Sequence, residues 1–146
     1  MDAFSLSDTY LFRGAAIGDI DSVQSISEAH EFAGGEKIVS EGDKNQDIMV
    51  ITSGRARVET RDGNLLDELR KGAILGEIAF LDGKGRTANV TALGPVTVLT
   101  VPAGRLRDLM KGNPSLEVTL LRNIAVSLCD RIRDANQQVE AFLTPR

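Results

Sequence analysis

The feature that most constrains this chain is the spacing of its glycines between about residues 29 and 101. Gly34-Gly35, Gly42-Asp43, Gly54, Asp62-Gly63, Gly72 and Gly94-Pro95 fall roughly every ten residues, with short apolar runs between them. Glycine next to glycine, aspartate or proline marks a turn. Runs this short leave no room for helices, and turn signals at this spacing predict an all-β sandwich or barrel. Ile48 to Ile51 reads as a buried strand. Ala56 and Val58 alternate with Arg55, Arg57 and Glu59, as on a half-buried strand. Asp62-Gly63 has the composition for the positive φ angles of a tight hairpin turn. Thr87 to Leu93 and Val96 to Val101 read as a final pair of strands around Gly94-Pro95.

The flanks follow another period. Residues 1–28 read as helical or irregular, with Asp19 as the cap of a short helix that puts Ile20, Val23 and Ile26 on one face. From Ala103 the pattern is helical: Leu106, Leu109 and Met110 share a face, and Gly112 ends the helix. Asn113 suits an N-cap and Pro114 the first helical position. Leu120, Ile124, Leu128, Ile132, Ala135, Val139 and Phe142 then recur at steps of four or three. They define one amphipathic helix of roughly 28 residues, about 42 Å long at the standard rise. The expectation is a single domain over residues 1–146, mainly β with flanking helices. It has short N-terminal helices, an antiparallel barrel of about eight strands over about 29–101, and two C-terminal helices over about 103–143.

Composition narrows the function. At 146 residues the chain fits one domain, and a net charge of −4 with pI about 5.0 lacks the basic patch of a nucleic-acid binder. His30 is the only histidine and Cys129 the only cysteine. A multi-histidine metal site, a multi-cysteine metal site and an internal disulfide are therefore excluded. No metal and no catalytic residues are expected. Cys129 sits in the long helical pattern and reads as a small buried hydrophobe. No stretch approaches 18 apolar residues, so no membrane span is expected. Met1 to Tyr10 lacks the basic start and apolar stretch of a signal peptide, and the expected location is the cytoplasm.

One segment interrupts the β pattern: Gly76-Glu77-Ile78-Ala79-Phe80-Leu81, a loop Asp82-Gly83-Lys84-Gly85, then Arg86-Thr87-Ala88. Gly76 permits close backbone approach to a ligand. Residues 77–81 can form one helical turn whose first N–H groups have no internal partner and suit an anion. Arg86 can fork onto two phosphate oxygens, and Glu77 can accept a hydrogen bond from a sugar hydroxyl. The plain alternative is a surface ion pair between Glu77 and Arg86 beside an ordinary turn.

Gly76-Glu77-Ile78-Ala79 followed by Arg86-Thr87-Ala88-Asn89-Val90 resembles the phosphate-binding cassette of cyclic-nucleotide-binding domains, with the common nine-residue step from Glu77 to Arg86. Gly34-Gly35-Glu36 with Ile38, Glu41-Gly42-Asp43, Ile48-Met49-Val50-Ile51, Ser53-Gly54 and Asn113-Pro114 resemble the same family, over about residues 11–143. The resemblance implies a jelly-roll barrel carrying a cassette helix, with cAMP or cGMP as ligand. It implies that Arg86 pairs with the exocyclic phosphate oxygens and that Glu77 takes the ribose 2′-hydroxyl. Gly76, Ile78 and Ala79 shape the sugar-phosphate site, and Thr87 and Ala88 complete the phosphate cradle. Val58 and Leu66 line the base pocket. The last helix acts as a lid, with Arg133 or Asn136 as polar contacts to the purine. The resemblance also implies that Thr87 biases the choice toward cGMP without settling it, because a hydroxyl there can reach the guanine amino group when the base is syn.

No helix-turn-helix follows the long helix, so direct DNA binding is not expected. The expected protein is a stand-alone sensor acting through a protein effector, or through a homodimer formed by the last helix as in related bacterial regulators. The competing readings are an interaction module that keeps the scaffold without binding ligand, a fragment of a larger regulator, and a barrel enzyme. The lack of a histidine cluster argues against the enzyme.

Overall fold

A computed structural model of the chain describes residues 4–143, so residues 1–3 and 144–146 of the expected domain lie outside the described residues. Two 3-10 turns, Leu6–Asp8 and Tyr10–Phe12, lead into α1 (Ile17–Ile26). The strands are β1 (Glu28–Phe32), β2 (Lys37–Val39), β3 (Ile48–Ser53), β4 (Ala56–Glu59), β5 (Leu65–Leu69) and β6 (Ile74–Leu75). After α2 (Glu77–Asp82) come β7 (Asn89–Ala92), β8 (Val96–Val101), α3 (Ala103–Gly112) and α4 (Pro114–Leu143).

The strands form two four-stranded antiparallel sheets, in the orders β1-β8-β3-β6 and β2-β7-β4-β5. They make a jelly-roll sandwich of two sheets, in place of one closed ring of strands. The expectation that Thr87–Leu93 and Val96–Val101 pair with each other is corrected here. β7 pairs with β2 and β4, whereas β8 pairs with β1 and β3. Gly94, at φ 142, turns the chain from one sheet to the other. Gly54 packs under that crossover, and a Cβ there would run into the Pro95 carbonyl oxygen.

Three local readings change as well. In the β4–β5 turn only Gly63 has positive φ, at 84°. Gly63 N donates to the Thr60 carbonyl at 3.0 Å and Thr60 N to the Asn64 carbonyl at 2.9 Å, giving a three-residue loop with one left-handed position. Asp19 does not cap α1, whose N-cap is Ala16. Its carboxylate accepts from Asn113 Nδ2 at 2.7 Å, while Asn113 Oδ1 caps α4 through Leu116 N at 3.1 Å. Cys129 is exposed, not buried.

Two apolar clusters hold the fold. The larger joins the outer face of the β1-β8-β3-β6 sheet to the helices, through Phe12, Ile48, Val101, Leu106, Leu120 and Ile124 among others. The smaller fills the space between the sheets, with Ile38, Ile51, Leu75, Val90 and Val98. Each fully buried aliphatic side chain contributes roughly 1.5–3 kcal/mol. α4 takes part through Leu116, Leu120 and Ile124, with Leu128 packed partly against the cluster, and is exposed from Cys129 onward. Ile132 is 61%, Val139 57% and Phe142 89% exposed.

Candidate functional site

The site is built around the short helix α2. Gly76 is its N-cap at φ 86, in the left-handed region. A Cβ at this position would strike Arg86 Nη1 and stand 2.6 Å from the Asp47 carbonyl oxygen, so only glycine fits. Gly83, at φ 71, closes the other end by donating its N–H to the Ala79 carbonyl at 2.9 Å. Between them Glu77, Ala79 and Phe80 are buried.

Arg86 is only 5% exposed. One edge of its guanidinium is held from below: Nη2 donates to Asn45 Oδ1 at 2.9 Å and to the Asp47 carbonyl at 2.8 Å. Its backbone is held by the same loop, through Arg86 N to the Asp43 carbonyl at 2.8 Å and Gly42 N to the Arg86 carbonyl at 2.9 Å. Asp47 extends the connection, because its Oδ1 accepts from Ala103 N at 2.8 Å, at the start of α3. The other terminal nitrogen, Nη1, is buried and has no hydrogen-bond partner among the described residues. Burial pulls the Arg86 pKa below its ordinary value, and the carboxylates of Asp47, Asp43 and Glu77 oppose that shift. A buried cation with an open donor is costly unless an acceptor arrives.

A cavity of about 520 Å³ opens beside this arginine. Gly76, Glu77, Ile78, Ala79, Arg86, Thr87 and Ala88 line one end. Val39, Val58, Leu66, Asp67, Leu69 and Val90 line the side formed by β2, β7, β4 and β5. α4 adds Arg131 and Ala135. The surface ion pair weighed for Glu77 and Arg86 is absent. Glu77 is 3% exposed, and its Oε1 meets Arg131 Nη1 at 2.7 Å across the gap to α4. Tyr10 stands against this pair. Burial first, and then the charge of Glu77, push its pKa up to about 12.

With this geometry in place, the relatives are informative. The family model described as cyclic nucleotide-binding domain matches residues 29–113. The chain belongs to the cyclic nucleotide-binding domain family. Glutaminase 2 of Bradyrhizobium diazoefficiens is 28% identical over 122 residues, 84% of this chain and 19% of that protein. The cAMP-dependent protein kinase regulatory subunit of Eremothecium gossypii is 31% identical over 96 residues, 66% of this chain and 20% of that protein. The catabolite activator protein of Thermus thermophilus superposes with a TM-score of 0.78 at 25% identity, covering 92% of this chain and 63% of that one. This cyclic nucleotide-binding domain thus spans about a fifth of the length of these curated relatives.

Within this cyclic nucleotide-binding domain, the structure brings Gly76, Glu77, Ile78, Ala79, Arg86, Thr87, Ala88, Val58 and Leu66 to one cavity. Arg133 and Asn136 do not line it, and the α4 positions that do are Arg131 and Ala135. The reason is helical phase. Arg131 lies seven residues beyond Ile124 and continues its face, whereas Arg133 is turned roughly 200° away from Arg131 at about 100° per residue. Extending the buried seam by seven residues would have found Arg131 in the sequence. Asn45, Asp47 and Asp67 had no such signal, since their roles come from contacts across the fold. Among the described residues no helix is long and apolar enough to cross a membrane.

Proposed function

We propose that this domain binds cAMP or cGMP in the cavity beside α2 and converts occupancy into a change in α4 that an effector reads. The observation that carries the reading is Arg86, a buried cation held on one side with an open Nη1 donor at the cavity wall. A cyclic phosphate supplies the missing acceptor, and the free N–H groups at the start of α2 stand beside it. On this reading Glu77 takes the ribose 2′-hydroxyl, Gly76, Ile78 and Ala79 take the sugar-phosphate, and Thr87 and Ala88 take the phosphate rim. Val58 and Leu66 take the base.

The coupling to α4 runs through Glu77. Its carboxylate already holds Arg131. A ribose hydroxyl that shares this carboxylate changes how firmly α4 is held, and a ligand shifts a population only through such a difference between states. The outer half of α4, with Ile132, Val139 and Phe142 exposed, is the surface offered to a protein effector or to a second copy of the chain. The domain works as a regulatory module.

Calorimetric titration with cAMP and cGMP tests the binding. Hydrogen exchange over residues 130–143, with and without saturating nucleotide, tests the coupling. Binding with altered exchange supports the whole reading. Binding with unchanged exchange removes the switch and leaves the ligand site. No binding of either nucleotide overturns the proposal.

A further inference from the structure

The floor of the cavity is a single cross-strand row. Val39 pairs with Val90, Val90 with Val58, and Val58 with Asp67, and all four residues line the cavity. Residues directly opposed in antiparallel strands point to the same face. The row therefore runs three valines and then a carboxylate. Strands lie about 4.8 Å apart, so Asp67 on β5 stands about 10 Å from Val90 on β7. β7 begins directly after Arg86-Thr87-Ala88. With phosphate and ribose at the cassette and the base anti, the flat base lies on the valines and its Watson–Crick edge ends at Asp67, which takes the 2-amino group away from Thr87. Among the described residues the only other carboxylate lining the cavity, Glu77, is paired with Arg131.

We propose that Asp67 sets the base preference of this site, selecting guanine over adenine. The inference rests on the cyclic-nucleotide reading of the cavity. A carboxylate only accepts hydrogen bonds, and it opposes an anionic ligand that brings it no donor. Asp67 Oδ1 accepts from Glu68 N at 2.8 Å, which orients the group, and each oxygen keeps a lone pair for a base. Guanine presents two adjacent donors on its outer edge, N1–H and the 2-amino group, spaced for the two oxygens of one carboxylate. Adenine presents one amino group beside the lone pair of N1, which faces the carboxylate unfavourably. A site built to meet donors rejects the analogue that lacks them.

The test is titration calorimetry on the full chain with cGMP, cAMP and cIMP, which keeps N1–H and lacks the 2-amino group. The proteins are wild type, Asp67→Asn and Asp67→Ala. Wild type should prefer cGMP to cAMP by at least about tenfold, with cIMP between them. Both variants should bring that ratio to within about threefold, with cGMP affinity falling and cAMP affinity rising. Asp67→Asn is near-isosteric on an exposed edge strand, and its thermal melt confirms the fold. A wild-type preference for cAMP, or a ratio that the variants leave unchanged, overturns the role of Asp67 while leaving the nucleotide site standing. A wild type that binds none of the three overturns the site and Asp67 with it.

Discussion

The two sheets bury their apolar residues differently. The β1-β8-β3-β6 sheet is covered on its outer face by α1, α3, the first half of α4 and the N-terminal turns, and its cluster is closed by Phe12, Leu106, Leu120 and Ile124. The β2-β7-β4-β5 sheet buries its apolar cluster against the other sheet, and its outer strand β5 carries Leu65 and Leu66 at 59% and 60% exposure. One half is a finished core. The other is a core with a gap, and the gap is the cavity. On the proposed function, stability and binding are housed in different halves, and substitutions should separate them.

The largest effect tests the finished half. Phe12→Ala removes a side chain that is 2% exposed and should lower unfolding stability by about 3–5 kcal/mol. The fraction that remains folded should bind nucleotide within about threefold of wild type. A loss of affinity matching the loss of stability would merge the two halves into one unit.

Arg86→Ala tests the half with the gap. Losing one partner of a shielded charge pair costs about 2–5 kcal/mol, a thirtyfold to several-thousandfold drop in affinity. Urea unfolding of the free protein should shift by less than about 1 kcal/mol, because the substitution also removes a buried donor that had no partner. Unchanged affinity in the folded variant would sink the assignment.

Glu77→Gln stands between the two halves, because Glu77 touches both the cavity and α4. Hydrogen bonds to charged groups contribute about 1.5–3 kcal/mol, so affinity should fall by roughly tenfold or more. Wild type should discriminate against a 2′-deoxy ligand and the variant should not. Equal discrimination would show that Glu77 serves α4 alone.

The smallest effect concerns Tyr10, which joins the N-terminal turns to the Glu77–Arg131 pair. Its pKa is raised from 10.0 to about 12, so the folded state holds the phenol proton more tightly than the unfolded state. This contribution is fully present below pH 10 and is lost as pH rises toward 12. It amounts to about 1–2 kcal/mol after allowing for solvent screening. Denaturant unfolding from pH 8 to 11 should show an alkaline decline that Tyr10→Phe flattens. An identical decline in both proteins would assign it to other groups.

Much of the cavity's end at α2 was legible in the chain, because the segment that lines it is contiguous. Gly76, Glu77, Ala79 and Arg86 stand within eleven residues, and their spacing constrains one short helix and one returning loop. The strand segments were legible from turn glycines, and the long helix from its seam. The support beneath Arg86 was not, because Asn45 and Asp47 meet it across some forty residues of chain. On α4 it is helical phase, not polar type, that brings Arg131 and Ala135 to the cavity and leaves Arg133 and Asn136 off its lining.

The local elements follow from the chain's residues: turns where glycine relieves positive φ, strands where apolar residues are short and alternating, and a helix start at Asn113-Pro114. These depend on backbone sterics and on side-chain periodicity over a few residues. Packing of the whole fold sets the parting of β7 and β8 into different sheets, the crossover at Gly94-Pro95 and the reach of Arg131 to Glu77. Only it placed Asp67 at the end of a valine row. Those outcomes depend on which apolar faces meet to exclude water, and that preference is non-directional and depends on the whole fold. The partner of a residue such as Arg86 is therefore set by packing, which no local window of the chain contains.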